Sequence, residues 1–187
     1  MREIARIRLF LLDDAEYAEF AEDQVAENAR QHVMAGEWLS HEGLSLAREV
    51  LKSLLADELR DAGHEFLKAA RPDGRTVGWL WVAPAPSFLC EGKARKRWLS
   101  QITVSEGQRN QGYGREMLEA LHQRLTEQGV GELWLRAFDW NDVARRLYSR
   151  LGYQVVRRFE NDAHLRRYLA NPNPNFQQWG FCLPRRL

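Results

Sequence analysis

The chain has 187 residues, 44% hydrophobic and 28% charged, the size and balance of one globular domain, which excludes wholesale disorder. No stretch reaches the roughly 18 uninterrupted apolar residues of a membrane span, and the N-terminal MREIARIRLFLLDD is too broken by Arg for a signal-peptide core. The net charge of +1 speaks against a nucleic-acid or membrane-surface partner but hides an asymmetry: residues 1–70 carry 8 Lys+Arg and 15 Asp+Glu, residues 71–187 carry 19 and 11.

Ile4 to Leu12 alternates with Arg6 and Arg8 and predicts a strand. Asp13 or Asp14 is placed to cap a helix, in which Tyr17, Phe20, Ala21, Gln24, Val25, Ala29 and Val33 recur at helical spacing up to Gly36. A second helix is expected from about Leu44 to Leu59, with Leu44, Ala47, Val50, Leu51, Leu54 and Leu55 as its apolar face. Strands over Glu65–Ala70 and Thr76–Val82 flank the turn Arg71-Pro72-Asp73-Gly74. Ala83–Lys93 reads as a loop and Arg97–Val104 as a strand. Polar, glycine-containing Glu106–Gly114 precedes a helix over Arg115–Gln128, and Gly129 and Gly131 precede the apolar strand Glu132–Phe138. Asp142–Leu151 is a short helix ended by Gly152, followed by strands over Tyr153–Glu160 and His164–Leu169. Residues 1–170 thus read as one α/β domain, and 171–187, with Pro172, Pro174 and Pro184, as a C-terminal tail or arm. Two cysteines, Cys90 and Cys182, have neither zinc spacing nor a disulfide framework, so a reducing cytoplasm is expected. Lys93, Arg95, Lys96 and Arg97 near Cys90 could lower its thiol pKa, but no His partner is evident for a catalytic role.

The strongest chemical signal is the run from Val104 to Arg115, where a strand ends, a glycine loop follows and a helix begins. Such a junction offers backbone N–H groups and the positive end of a helix dipole to an anion. Gly107, Gly112 and Gly114 have the wrong spacing for a dinucleotide fingerprint, and no G-K-[ST] follows for a P-loop. Read alone, the loop is equally a tight strand-to-helix turn. Arg109-Asn110-Gln111-Gly112-Tyr113-Gly114, however, matches Q/R-x-x-G-x-G/A, and Asn141-Asp142-Val143-Ala144-Arg145-Arg146-Leu147-Tyr148-Ser149-Arg150-Leu151-Gly152-Tyr153 matches N-x-x-A-x-x-x-Y-x-x-x-G-F/Y. In this order, with a helix and a strand between them, the two motifs resemble the GNAT superfamily of N-acetyltransferases. The resemblance covers about Trp98 to Phe159; the first 70 residues match in architecture only.

The resemblance implies a single-domain GNAT-like α/β (α+β) fold, with a twisted mixed, mostly antiparallel sheet of six to seven strands flanked by helices. It implies acetyl-CoA as cosubstrate, no metal, and direct acyl transfer to a primary amine in a ternary complex. Arg109, Asn110, Gln111, Gly112, Tyr113, Gly114 and Arg115 would hold the pyrophosphate, mainly through backbone amides. Ile102, Thr103 and Val104 would offer main-chain groups to the cofactor arm in a sheet opening, with a backbone N–H near Val104 polarising the thioester. Asn141 would cap a helix and bond the cofactor, and Tyr148 would give a proton or a hydrogen bond to the departing thiolate, unless its ring is merely core.

Where the family often places an acid on the fourth strand, this chain has Gln101 and Thr103. The general base is therefore open among Glu106, Asp139, His64, Glu37 and a water chain. Trp79, Trp81, Trp98 and Trp134 fit the core or an acceptor tunnel. A GNAT using another acyl-CoA, or a silent acyl-CoA-binding regulatory domain, stays as an alternative. The acceptor is expected to be a small-molecule or peptide amine, and a cationic one if the acids Asp13, Asp14, Glu16, Glu19, Glu22, Asp23 and Glu27 border its site. The resemblance fits either a monomer or a homodimer.

Overall fold

The computed structural model describes residues 7–52, 62–89 and 94–169. Cys90, Lys93, Cys182, the far part of the expected second helix and the tail at 171–187 lie outside the described residues.

The first strand, β1, spans Arg8–Leu11. Asp13 then starts helix α1 (Asp14–Met34) with a reciprocal capping box: its carboxylate accepts from Glu16 N at 2.9 Å while Glu16 accepts from Asp13 N at 3.2 Å. Gly36, at φ 74°, follows the last turn and reverses the chain. Helix α2 (Gly43–Val50) packs on α1 so closely that a Cβ on Gly43 would stand 2.9 Å from Val33 Cγ2. It buries Ala47 and Leu51, but Leu44 and Val50 are 57% and 58% exposed. Among the described residues there, only the line Gly43, Ala47 and Leu51 is buried, a narrower stripe than the one expected.

β2 (Glu65–Ala70), β3 (Thr76–Pro84), β4 (Lys96–Val104), β5 (Glu132–Phe138), β6 (Gln154–Arg158) and β7 (Asp162–Tyr168) complete one seven-stranded sheet in the order β1-β2-β3-β4-β5-β7-β6. Every neighbouring pair is antiparallel except β4 with β5. Helix α3 (Tyr113–Glu127) begins two residues earlier than expected, and α4 spans Asp142–Arg150. The strand starts at β6 and β7 shift by one or two residues from those read in the sequence.

Two cores sandwich the sheet. On one face Leu67, Leu80, Leu99, Leu133 and Leu165 pack with Met117, Leu118 and Leu121 of α3. On the other, Phe66 and Trp79 pack with Tyr17, Phe20 and Val25 of α1 and Ala47 of α2. Gly78 sits where α3 presses hardest: a Cβ there would lie 2.2 Å from the Thr103 carbonyl oxygen and 2.9 Å from Met117 Cε. The two helix layers therefore hold β3 and β4 from both sides, and what β4 does at its far end decides the site.

Candidate active site

β4 pairs with β5 only from Lys96↔Glu132 to Leu99↔Leu135. Against β3, Trp81 faces Gln101 while Val82 faces Leu99, so Ser100 is an extra residue, a β-bulge. A bulge bends its strand and raises the local twist. Here the bend falls at the residue where β4 and β5 part. The opening is a cleft of about 970 Å³, lined by residues 100–104 of β4, by the start of α3, and by Arg136, Phe138, Asn141 and Tyr148.

Ile102, Thr103 and Val104 all line this cleft on the edge of β4 that has left β5. Beyond them the chain makes a 3-10 turn over Glu106–Gln108 and reaches α3 through Asn110 (φ 61°) and Gly112 (φ 87°). Two left-handed residues so close together form a tight concave loop, a shape suited to anions. With Gly112 at its N-cap, α3 starts with no side chain over its first N–H groups. Arg109, Asn110, Gly112, Tyr113, Gly114 and Arg115 line the cleft here, whereas Gln111 does not: it is exposed and donates from Nε2 to the Gly107 carbonyl at 3.2 Å. The loop's two cationic side chains are engaged locally: Arg109 Nε donates to the Val104 carbonyl at 3.2 Å, and Arg115 Nε to Glu119 at 2.8 Å. The loop's capacity for an anion rests on its backbone.

On the opposite wall, Asn141 caps α4 by accepting from Ala144 N at 3.1 Å and also borders the cleft. About two turns along, Tyr148 is 7% exposed and reaches the same space. Burial pushes its phenol up to about 12, so it is a neutral hydrogen-bond donor at physiological pH. Its ring lies 5.4 Å from that of Tyr153. Arg146 and Arg150 of α4 and Arg167 of β7 add positive charge to this wall; no motif marked them, because arginines on a short amphipathic helix or a strand look like an ordinary solvated face.

Gln101 and Thr103 share the sheet face of Trp79 and Trp81, which lie opposite them in register, and Gln101 Nε2 donates to Thr103 Oγ1 at 3.3 Å. Trp79 is buried in the α1 core, and Trp134 is buried with Arg166 over its ring at 5.2 Å. The four residues raised as bases are scattered. His64 receives the Trp81 indole N–H on Nδ1 at 2.8 Å, which occupies the lone pair a base would need. Burial lowers its pKa further, with the Arg97 charge adding to that. Glu106 is exposed beside the loop, and Asp139 is shared by Arg145 and Arg158 at 3.7 and 3.5 Å. Glu37 is bound to His32 and, at 3.0 Å, to Arg136.

The acidic run of α1 is largely occupied. Glu16 pairs with Lys68, and Glu22 with Arg48 at 3.1 Å. Glu27 alone of the seven lines the cleft, together with Arg30 and Gln31. Burial would raise its pKa, but hydrogen bonds from Arg30 and Gln31 and the charges of Arg30 and Arg109 outweigh that and lower it. Among the described residues no cluster of three or more His, Cys, Asp or Glu is placed to hold a metal ion, and no helix is long and apolar enough to cross a membrane.

Residues 25–153 match the model of the acetyltransferase (GNAT) family. The uncharacterized N-acetyltransferase YycN of Bacillus subtilis is 30% identical over 126 residues, 67% of this chain and 78% of that one. Its crystal structure superposes with a TM-score of 0.75 over 83% of this chain and 96% of that one. The spermine/spermidine N(1)-acetyltransferase of B. subtilis is 32% identical over 83 residues, 44% of this chain and 55% of that one. The spermidine N-acetyltransferase of Vibrio cholerae, solved with CoA and spermine, shares the fold at a TM-score of 0.60 and 12% identity, over 88% of this chain and 96% of that one.

Proposed function

We propose a function from one established premise: the chain belongs to the GNAT acetyltransferase family. In our reading it transfers the acetyl group of acetyl-CoA to a primary amine, in a ternary complex and without a covalent enzyme intermediate. The observation that carries this is the convergence of three parts on one cleft: the open edge of β4, the Asn110–Gly112 loop at the head of α3, and the Tyr148 hydroxyl.

Bound acetyl-CoA supplies a thioester, an activated acyl group with a thiolate leaving group. The chain's own parts would act as follows. The loop at Asn110 and Gly112, with Tyr113, Gly114 and the cap Asn141, binds the pyrophosphate end. Residues 102–104 offer main-chain groups to the amide-bearing arm, and a backbone N–H near Val104 stabilises the oxyanion as the amine nitrogen attacks the carbonyl carbon. The C–N bond forms, the C–S bond breaks, and the amine gives up a proton. Tyr148 stands ready for the departing sulfur. With its phenol near 12 and an ordinary thiol near 8.5, complete proton transfer from Tyr148 to a thiolate costs about 5 kcal/mol. Tyr148 thus stabilises the thiolate by a hydrogen bond, and solvent supplies the proton.

The acceptor in this reading is a small amine, supported by the polyamine-acetylating relatives; Glu27, the one acid of the α1 run on the cleft, is already paired with Arg30. Two cysteines with neither zinc spacing nor a disulfide framework support a cytoplasmic setting. The test is acetyl-CoA and succinyl-CoA against a panel of spermidine, lysine, aminoglycosides and peptide N-termini, following thiol release and the acylated product. Release of thiol matched by acetylated amine is expected. Tight CoA binding with no acylated product across the panel would favour a silent binding domain, and preference for succinyl-CoA would replace the donor.

A further inference from the structure

Gly36 turns the chain so sharply that the backbone N–H groups of Glu37 and Trp38 both return to the His32 carbonyl, at 3.0 and 3.4 Å. This fold-back brings the Glu37 side chain onto its neighbour: Oε2 of Glu37 meets Nδ1 of His32. A carboxylate only accepts hydrogen bonds, so Nδ1 carries the proton and the lone pair is left on Nε2. The imidazole stacks on Trp38 at 4.1 Å and meets the Phe138 ring edge-on at 5.8 Å. Phe138, the preceding residue Gln31 and Arg136 all line the cleft. The histidine side chain is 18% exposed, enough to hand a proton to water.

Glu37 is itself held in place. Glu37 Oε1 receives Arg136 at 3.0 Å, and Arg136 also donates from Nε and Nη2 to Asp162 Oδ2 at 2.8 and 2.6 Å. On α1, Glu27 and Arg30 neutralise each other one turn back. Arg136 ties Glu37, and through it the His32 ring, to Asp162 of β7.

We propose that His32, oriented by Glu37, is the general base for the acceptor amine, the role that Gln101 and Thr103 leave unfilled on β4. The proposal rests on the acetyl-transfer reading above. His32 stands behind the lining residues Gln31 and Phe138 rather than among them, so as the amine nitrogen bonds to the thioester carbon its N–H proton passes through water to Nε2, Nδ1–H stays on Glu37, and the thiolate departs. The imidazolium then releases the proton to solvent.

The test compares the full-length wild type with His32→Gln and Glu37→Gln, the latter altering a partly exposed side chain with little risk to folding. Calorimetry should show unchanged CoA affinity in both. For an acetylated panel amine, His32→Gln should lower kcat/KM roughly 100-fold and remove the acid limb of its pH profile. Glu37→Gln should lower it about tenfold and move that limb. Nitrogen-15 spectra of the imidazoles, read without any acceptor, should show His32 in the Nδ1–H form in the wild type and a mixed form in Glu37→Gln. A wild type that acetylates while His32→Gln matches it within threefold, with the same pH profile, overturns the proposal and leaves acetyl transfer standing. A wild type that acetylates nothing overturns acetyl transfer. The spectrum then judges the dyad alone: an Nε2–H form overturns it, and an Nδ1–H form supports it.

Discussion

The Tyr153 hydroxyl and Nε2 of His122 stand 2.8 Å apart in the layer behind Tyr148. The pair ties α3 to the residue that follows α4, and Tyr148 leans against it. Burial lowers His122 to about 3, with the Arg167 charge adding to the effect. The folded state thus refuses a proton that the unfolded chain accepts near 6.5. Between these values the unfolded state binds more protons, so stability rises with pH and is lost as pH falls from about 6.5 towards 3. Urea midpoints should drop steeply between pH 6.5 and 4.5. His122→Gln keeps a polar partner for Tyr153 and removes the titration. It should flatten that slope while costing about 1 kcal/mol at pH 7. An unchanged slope in the variant would mean that other groups drive acid unfolding.

Gly78 is the point on which the cleft edge of β4 depends. A Cβ there would meet the Thr103 carbonyl oxygen at 2.2 Å, a backbone atom that cannot step aside cheaply. Gly78→Ala should destabilise by about 1–3 kcal/mol, as overpacking does. Because Thr103 lies on the cleft, CoA affinity should fall with it even under conditions where the variant stays folded. Denaturant midpoints and calorimetry together check this. Loss of stability with unchanged CoA binding would detach residues 102–104 from the cofactor.

How much of this was legible beforehand follows the range of the forces involved. Asn141, Gly112 and Tyr148 lie in two short contiguous motifs, so the family resemblance those motifs carry marked them. The capping box of Asp13 and Glu16 is local in the same sense. The bulge at Ser100 belongs to the register of two strands, and the meeting of Arg136 with Glu37, 99 positions apart, belongs to the packing of three elements. Neither leaves a periodicity in either segment. Leu44 and Val50 misled for the opposite reason: their spacing is helical, but the partner that would cover them is not where a full stripe requires.

Gly112, at φ 87°, tests the loop. An L side chain in that conformation costs about 1–2 kcal/mol, and relaxing it would turn the first N–H groups of α3 away from the cleft. Gly112→Ala should weaken CoA binding about tenfold, while the KM for the acceptor amine at saturating acetyl-CoA stays within twofold. Gly129→Ala, also at positive φ (76°) but with open space around it and at the far end of α3, is the matched control. It should show similar strain in a denaturant titration and no change in CoA affinity. Equal losses of affinity in both variants would reduce the loop's role to helix stability.

Tyr148 separates hydrogen bonding from proton transfer. With its phenol pushed up to about 12 by burial, it stays protonated throughout the range in which an acetyl transfer can be assayed. Wild-type kcat should therefore show no alkaline limb from this residue between pH 8 and 10. Tyr148→Phe removes the donor but keeps the ring that packs near Tyr153. It should lower kcat by roughly 10- to 100-fold with little change in either KM, because the lost bond forms as the sulfur becomes charged. Thioesters with better leaving thiols should lose less, since they need less help from a donor. A uniform loss across leaving groups, or a large rise in the KM for acetyl-CoA, would make Tyr148 a binding residue and leave the thiolate to solvent alone.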